Sequence, residues 1–410
     1  MGKMPVIYDE VKRKLRRDIQ DALDYGRDYD DAEVSEAVDE YILNAQEVST
    51  FTLNERRRLK KELFDSIRRL DILQEYVDDP SVTEIMINGP SSIFIERNGV
   101  LFKPDAAFES EEKLQDVIQQ IVAGCNRVVN ESQPIVDARL SNGARVNIVM
   151  KPVALNGPIV TIRRFPDKPV TMEKLLKLKS INEEAAAFLE KLVKAKYNIF
   201  ISGGTGSGKT TFLNVLSGFI PKDERVITIE DSAELQIQGI ANLVRLETRN
   251  SNVEGCAEIT IRDLIKSSLR MRPDVVIVGE VRGAEAFDML QAMNTGHDGS
   301  MSTGHANSAK DMMSRLENMV LMAADLPLPA IRQQIASGID ILVHLGRLRD
   351  RSRKVMEITE ITGYENGEIR MHPLYKFEEE DTDEKGRIIG RLRKTGELEY
   401  TEKLASAGLS

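Results

Sequence analysis

Tyr197-Asn198-Ile199-Phe200-Ile201-Ser202-Gly203-Gly204-Thr205-Gly206-Ser207-Gly208-Lys209-Thr210 is the stretch that decides the fold. Its first half is a short apolar run of strand length. Its second half is a complete G-x-x-x-x-G-K-[ST] loop, and each part of that loop has a physical job. Gly203, Gly204, Gly206 and Gly208, with Thr205 and Ser207 between them, let the backbone wrap closely enough to aim N–H groups at phosphate oxygens. Lys209 can reach the β- and γ-phosphates, and the Thr210 hydroxyl can sit on Mg²⁺. Thr211 opens a helix predicted over 211–217 that ends near Gly218 and Pro221. Strand, glycine loop, helix is the arrangement that puts phosphates on a helix N-terminus.

Working outward, the chain from about residue 172 alternates helical patterns with buried strands at 199–202, 226–229, 244–246, 275–278 and 341–344. That alternation predicts an α/β fold, a RecA-like P-loop domain whose sheet is mostly parallel with helices on both faces. The domain is expected to span 172–376. Residues 166–171 carry two prolines and read as a linker. Before it, residues 76–165 read as an α+β domain. Asn98-Gly99 between two β runs signals a hairpin, and Leu114, Val117, Ile118, Ile121 and Val122 give a helix one apolar face. Residues 1–75 are a charged helical region, with stripes Val11, Leu15, Ile19, Leu23 and Leu59, Leu63, Ile67, Leu70. Six acids crowd residues 377–384, so 377–410 is expected to be a charged C-terminal tail, mobile or a loosely attached hairpin.

Composition bounds the partners. The 410 residues are 41% hydrophobic and 30% charged, which is ordinary globular chemistry. A net charge of −10 argues against a general affinity for nucleic acid. Two cysteines, Cys125 and Cys256, supply no disulfide framework and read as buried thiols in a reducing cytoplasm. No stretch approaches the roughly 20 apolar residues of a spanning helix, and the N-terminus lacks an apolar leader core. Any membrane role is expected to run through a partner.

Three further segments bear on a nucleotide. Val226-Ile227-Thr228-Ile229-Glu230-Asp231 ends a β-branched strand in two carboxylates, at the end that faces the ligand crevice of a parallel sheet. Val275-Val276-Ile277-Val278-Gly279-Glu280 is a second buried strand, with Gly279 where a Mg²⁺-linked Asp is usual in a Walker B strand. Glu280 then either holds Mg²⁺ through water or polarises the attacking water. His297 and His305 lie in a turn-rich stretch of small polar residues and read as a sensor of phosphate or of a neighbouring subunit. Their spacing does not suit zinc. His344, inside an apolar run, reads as a core histidine. Arg139, Arg145, Arg163 and Arg164 in the α+β domain, and Arg270, Arg272 and Arg282 around the Glu280 strand, are candidate phosphate ligands, planar guanidinium being suited to that task.

The order of phosphate loop, Thr228-Ile229-Glu230-Asp231, Gly279-Glu280-Val281-Arg282 and Thr295-Gly296-His297 to Gly304-His305-Ala306-Asn307 resembles the type II/IV secretion ATPase superfamily. Pro80-Ser81-Val82-Thr83-Glu84-Ile85-Met86-Ile87-Asn88-Gly89-Pro90, Val136-Asp137-Ala138-Arg139-Leu140 and Arg282-Gly283-Ala284-Glu285-Ala286-Phe287-Asp288 resemble its CpaF (TadA) branch, the motor of Tad (Flp) pilus assembly. The resemblance covers roughly residues 70–365. It implies ATP and Mg²⁺ as cofactors and a cytoplasmic homohexamer peripherally associated with the membrane through a polytopic inner-membrane platform protein. It implies a PAS-like α+β domain hinged at 166–171 to the ATPase domain, with Arg139, Arg145 and Arg163 among the arginines closing on the phosphates. Lys209, Glu280, Glu230, His305 and His297 are the implied catalytic residues, with Glu230 and Glu280 sharing metal handling and water activation. Thr210 and Glu280 are the implied Mg²⁺ residues, the latter through water.

Overall fold

The computed structural model describes residues 4–23, 27, 29–97, 99–125, 127–164, 169–249 and 257–409. The chain divides into two compact units, Met1–Asp167 and Lys168–Ser410. The first opens with three helices, α1 (Met4–Ala22), α2 (Asp31–Asn44) and α3 (Leu53–Arg68). Capping boxes start two of them: Asp30 with Glu33, and Thr52 with Glu55. The apolar stripes Val11-Leu15-Ile19, Val34-Val38-Ile42 and Leu59-Leu63 meet in one core, as i, i+4 spacing requires. A short helix α4 (Gln74–Asp78) then leads into β1 (Val82–Asn88), β2 (Ile93–Arg97), β3 (Val100–Phe102), helix α5 (Glu111–Ala123), β4 (Ile135–Arg139), β5 (Arg145–Val149) and β6 (Ile159–Arg163). These strands form an antiparallel sheet in the order β3-β2-β1-β6-β5-β4, with the apolar face of α5 packed on it. Buried Lys113 on α5 bridges the expected boundary at 75/76. Its Nζ donates to the Ser66 carbonyl at 2.9 Å and lies 3.8 Å from Asp71. Burial lowers the Lys113 pKa and raises that of Asp71, each opposed by the other's charge.

The second unit runs α6 (Met172–Lys177), α7 (Glu183–Lys194), β7 (Ile199–Gly203), α8 (Lys209–Ser217), β8 (Arg225–Glu230), β9 (Asn242–Glu247), α9 (Ile261–Ser268), β10 (Val275–Val281), α10 (Glu285–Asn294), β11 (Met301–His305), α11 (Ala309–Ala323), α12 (Leu328–Gly338), β12 (Ile341–Arg347), β13 (Arg353–Glu365), β14 (Glu368–Thr382), β15 (Ile388–Lys394) and α13 (Glu402–Ser406). One nine-stranded sheet takes the order β15-β14-β13-β12-β7-β11-β10-β8-β9. It is parallel from β12 to β9 and antiparallel outward from β12 to β15. The continuous apolar strands follow from burial on both faces. Ile199 and Ile201 enter the core with α7 and α8, while Phe200 enters the opposite core with α10, α11 and α12. Val275 and Ile277 alternate with Val276 and Val278 in the same way.

The expectation for the charged tail is corrected. The boundary at 376/377 falls inside β14, and residues 377–394 complete the outer hairpin of the sheet. The acids of that run are absorbed by cations on neighbouring strands. Glu378 pairs with Arg393 at 2.7 Å, Glu380 with both Arg391 and Arg393, and Glu379 with Arg349. Tyr375 and Leu392 enter the main core, and Asn182 Nδ2 donates to the Leu392 carbonyl. Beyond β15, the Glu399 and Tyr400 N–H groups donate to buried Glu360, Tyr197 Oη donates to the Tyr400 carbonyl at 2.6 Å, and Lys403 Nζ reaches Asp340 at 2.7 Å and Asp298 at 2.8 Å. The expectation of two buried thiols is corrected for Cys125, which is free and only half-buried. Cys256 lies outside the described residues, as do residues 166–168 of the expected linker. Among the described residues no helix is long and apolar enough to cross a membrane.

Lys403 is the cation on Asp340, whose carboxyl burial pushes upward and Lys403 pulls back. Lys403→Ala leaves that carboxylate unpaired. With both side chains close to a third exposed, the expected loss is about 1–2 kcal/mol. A urea unfolding midpoint lowered at unchanged slope is the measurement that checks it.

Candidate active site

The phosphate loop follows the C-terminal end of β7, between β12 and β11. Gly208 caps α8 in a left-handed conformation, φ +95°, which a side chain would strain. Lys209 begins the helix and is buried. Its Nζ donates to the Gly204 carbonyl at 3.1 Å and lies 3.3 Å from His305 Nδ1. His305 is the last residue of β11, in register with Gly203. Its Nε2 lies 2.7 Å from Glu280 Oε1 at the end of β10. Lys209 therefore contacts Glu280 through one imidazole.

The protonation states follow from the contacts. An ammonium can only donate, so Nδ1 of His305 accepts and the ring proton sits on Nε2, facing the carboxylate. Burial lowers the His305 pKa, with Lys209 acting in the same sense and Glu280 opposing, so the ring is neutral near pH 7. Burial also lowers the Lys209 pKa, again opposed by Glu280. Apart from this 2.7 Å contact, Glu280 Oε1 is a buried oxygen without a hydrogen-bond partner among the described residues. Glu280 Oε2 is held by Arg282 at 2.6 Å. Ser207 Oγ in the loop is a second buried oxygen with no hydrogen-bond partner among the described residues. Unfilled hard oxygens beside an N–H-lined loop suit a phosphate with its hydrated Mg²⁺. Thr210, in the first turn of α8, adds a hydroxyl to that donor set.

Glu230 is separate from this chain of contacts. It ends β8, is buried, and its Oε1 accepts from the N–H groups of Glu234 at 2.8 Å and Leu235 at 2.9 Å. Its Oε2 is buried and unpartnered. Burial pushes its pKa up to about 7, against the pull of the two backbone N–H groups. This arrangement explains the missing Asp of the Walker B strand. A Cβ at Gly279 would stand 3.0 Å from Glu230 Cγ, so the stem of Glu230 occupies the space a side chain would need.

Several expected site residues are placed elsewhere. His297 precedes β11, at the opposite end of that strand from the phosphate loop, roughly 13 Å along it. It bonds the Ala292 carbonyl through Nδ1 and accepts from Ser300 Oγ through its own carbonyl. The expectation that His297 belongs to the catalytic group is therefore corrected, because strand direction separates the two histidines. Arg270 and Arg272 likewise precede β10 and lie at the end away from Glu280. His344 is a core residue bonded to Ser202 Oγ at 2.9 Å. In the first unit, register aligns Arg139, Arg145 and Arg163 in one cross-strand row over β4, β5 and β6, continued by Glu84 on β1. Arg164 instead donates to the Asp79 carbonyl at 2.6 Å.

The sequence reading missed Arg347 and Arg353. Arg347 Nη1 lies 3.6 Å from where a Cβ on Gly206 would stand, and Arg353 Cδ 3.6 Å from that point on Gly208. The available signal was Gly346-Arg347-Leu348-Arg349-Asp350-Arg351-Ser352-Arg353-Lys354, a cationic turn directly after a buried strand.

The family model described as type II/IV secretion system protein matches residues 68–389. The chain is 32% identical over 333 residues to the conjugal transfer protein TrbB of Rhizobium radiobacter, covering 80% of this chain and 98% of that one. It is 32% identical over 307 residues to the type IV secretion system protein VirB11 of Brucella suis, covering 67% and 84%. The solved structure of the ATPase DotB from Legionella pneumophila superposes with a TM-score of 0.51 at 22% identity, covering 70% of this chain and 79% of that one, which is a likeness of fold.

The Glu230 carboxyl makes stability depend on pH. Its folded pKa of about 7 lies above its ordinary 4.5, so the folded state holds the extra proton between those values. That contribution is full below the unfolded value and is lost as pH rises through about 7. Wild-type stability is expected to fall by up to roughly 3 kcal/mol from this group over that window. Thermal melts of Glu230→Gln across the same pH range should show a flatter profile. Equal slopes would mean that Glu230 is not a buried, protonated carboxyl.

Proposed function

The chain belongs to the type II/IV secretion system protein family, and on that premise we propose that it is an ATP-hydrolysing motor for pilus assembly or protein secretion. It works as a homohexamer at the cytoplasmic face of the membrane, docked on a polytopic inner-membrane platform protein. The observation that carries this reading is the contact chain from Lys209 through neutral His305 to Glu280, beside the partnerless oxygens of Ser207 and Glu280. Such a chain fits a site where phosphate charge arrives at one end and a water molecule at the other.

In this reading the triphosphate lies along the loop from Gly203 to Thr211, and Lys209 exchanges the Gly204 carbonyl and His305 for phosphate oxygens. Thr210, and Glu280 through water, would hold Mg²⁺, which would supply charge neutralisation to the bound phosphates. Glu280, oriented by Arg282, accepts a hydrogen bond from water and draws its proton as the oxygen approaches the γ-phosphorus. Water adds to phosphorus, the bond to the β–γ bridging oxygen breaks, and ADP and inorganic phosphate leave. His305 keeps its proton toward Glu280 and reports to that carboxylate whether Lys209 is engaged. Glu230 supports the strand end from behind Gly279 and shares in proton handling, since its carboxyl titrates near neutrality. The long segments resembling the CpaF branch favour a Tad-type pilus as the assembly driven.

The similarity to TrbB, a conjugal transfer protein, supports a second reading in which the motor serves conjugation. The net charge of −10 favours a protein cargo path over direct handling of DNA.

Lys209→Ala is expected to abolish ATP turnover. Glu280→Gln is expected to keep nucleotide affinity within about threefold while turnover falls about 10²-fold or more. Loss of binding in Glu280→Gln would make Glu280 a metal holder, and normal turnover in Lys209→Ala would defeat the ATPase reading. Sedimentation with and without MgATP tests the hexamer. Tight, salt-dependent binding of single-stranded DNA would favour the conjugative, DNA-handling reading.

A further inference from the structure

We propose that Arg347 and Arg353 form a clamp for the diphosphate shared by ADP and ATP, supplied by the same unit that carries the phosphate loop. The inference rests on the nucleotide reading above and adds the residues that position the ligand. Arg347 ends β12 and Arg353 begins β13, and the two are directly paired across the antiparallel ladder. Like charges facing each other in such a pair repel and destabilise the hairpin. Neighbouring acids do not relieve the repulsion. Glu379 is engaged by Arg349, and Asp350 accepts from Ser352 N, Ser352 Oγ and Ile388 N. Among the described residues the side chains of Arg347 and Arg353 make no hydrogen bond or ion pair, and both are exposed. In a chain of net charge −10, two free guanidinium groups are thus held together at one place.

That place is the phosphate loop. Arg347 Nη1 approaches Gly206 and the Arg353 stem crosses Gly208, each 3.6 Å from where a Cβ would stand. Leu345 carries β12 close against the loop, in register with Gly203, so the hairpin cannot drift away without breaking the sheet. An anion on the loop N–H groups would accept from both guanidinium forks and cancel their repulsion. The clamp lies on the β12 side of β7, whereas His305 and Glu280 lie on the β11 and β10 side. It therefore grips phosphates that survive hydrolysis, and it acts as a positioning pair for ADP and ATP alike.

The test uses the full chain with MgADP and MgATP as probes, comparing wild type, R347A/R353A and R347K/R353K. The alanine pair should weaken both nucleotides about tenfold or more, raising KM more than it lowers kcat. The lysine pair, which keeps charge without the fork, should recover part of the affinity. Without nucleotide the alanine pair should melt at or above the wild-type temperature, and its MgADP-induced rise should shrink. Unchanged affinity for both nucleotides would overturn the clamp, as would a loss confined to kcat. A lower melting temperature without nucleotide would show the pair to be structural and would also overturn it. If folded wild type bound neither nucleotide, the ATPase reading would fall first and the clamp with it.

Discussion

The second unit depends on one constraint, the pairing of β7 with parallel strands on both sides. Flanked by β12 and β11, and buried on both faces, β7 has no freedom to shift its register. Its end is therefore a fixed platform, and the phosphate loop inherits that fixity. The same pairing sets the two flanks of the loop. Register with β11 puts His305 beside Gly203, and register with β12 brings Leu345 beside the same glycine. The Lys209–His305–Glu280 contact chain and the arginine hairpin are thus two consequences of where one strand sits in the sheet.

The second organising feature is the exchange of space between Gly279 and Glu230. A usual Walker B strand carries its metal-linked carboxylate on its own backbone. Here the position is bare and the stem of a carboxylate from the neighbouring strand fills it. That carboxylate is turned inward to the 234–235 backbone and titrates near neutrality. The carboxylate in contact with the Lys209–His305 chain is Glu280, one residue further along β10. An Asp at Gly279 would press on the stem of Glu230, which would have to give way by a few tenths of an ångström.

The legible parts of the chain were those whose meaning is local. The phosphate loop, its strand and its helix are written within about twenty consecutive residues, and the alternation of buried strands with helices sufficed for the fold class. Glu280 and His305 could be named because each ends a strand whose apolar run is visible. His297 was misplaced because it shares a motif with His305 while strand direction puts them at opposite ends of β11. Arg347 and Arg353 were overlooked because their significance depends on a hairpin register and on a loop far away in sequence. The tail was misread for a related reason. Its acids look like a solvated run, but their partners Arg349, Arg391 and Arg393 stand on adjacent strands. Cross-strand neutralisation is invisible to any window along the chain.

The ion-paired outer hairpin has a bearing on how copies of this chain meet. β15 is the last strand of the sheet, so among the described residues one side of its backbone has no neighbour within the sheet. An open strand of that kind is a template for another copy's strand and an entry point to aggregation. Arg391, Arg393 and Lys394 stud this rim, matched to acids on β14 or, for Lys394, to Glu397. An incoming strand would have to strip water from those groups and disturb the pairs. The charges that fasten the tail to the sheet therefore also act as a guard against strand-to-strand polymerisation.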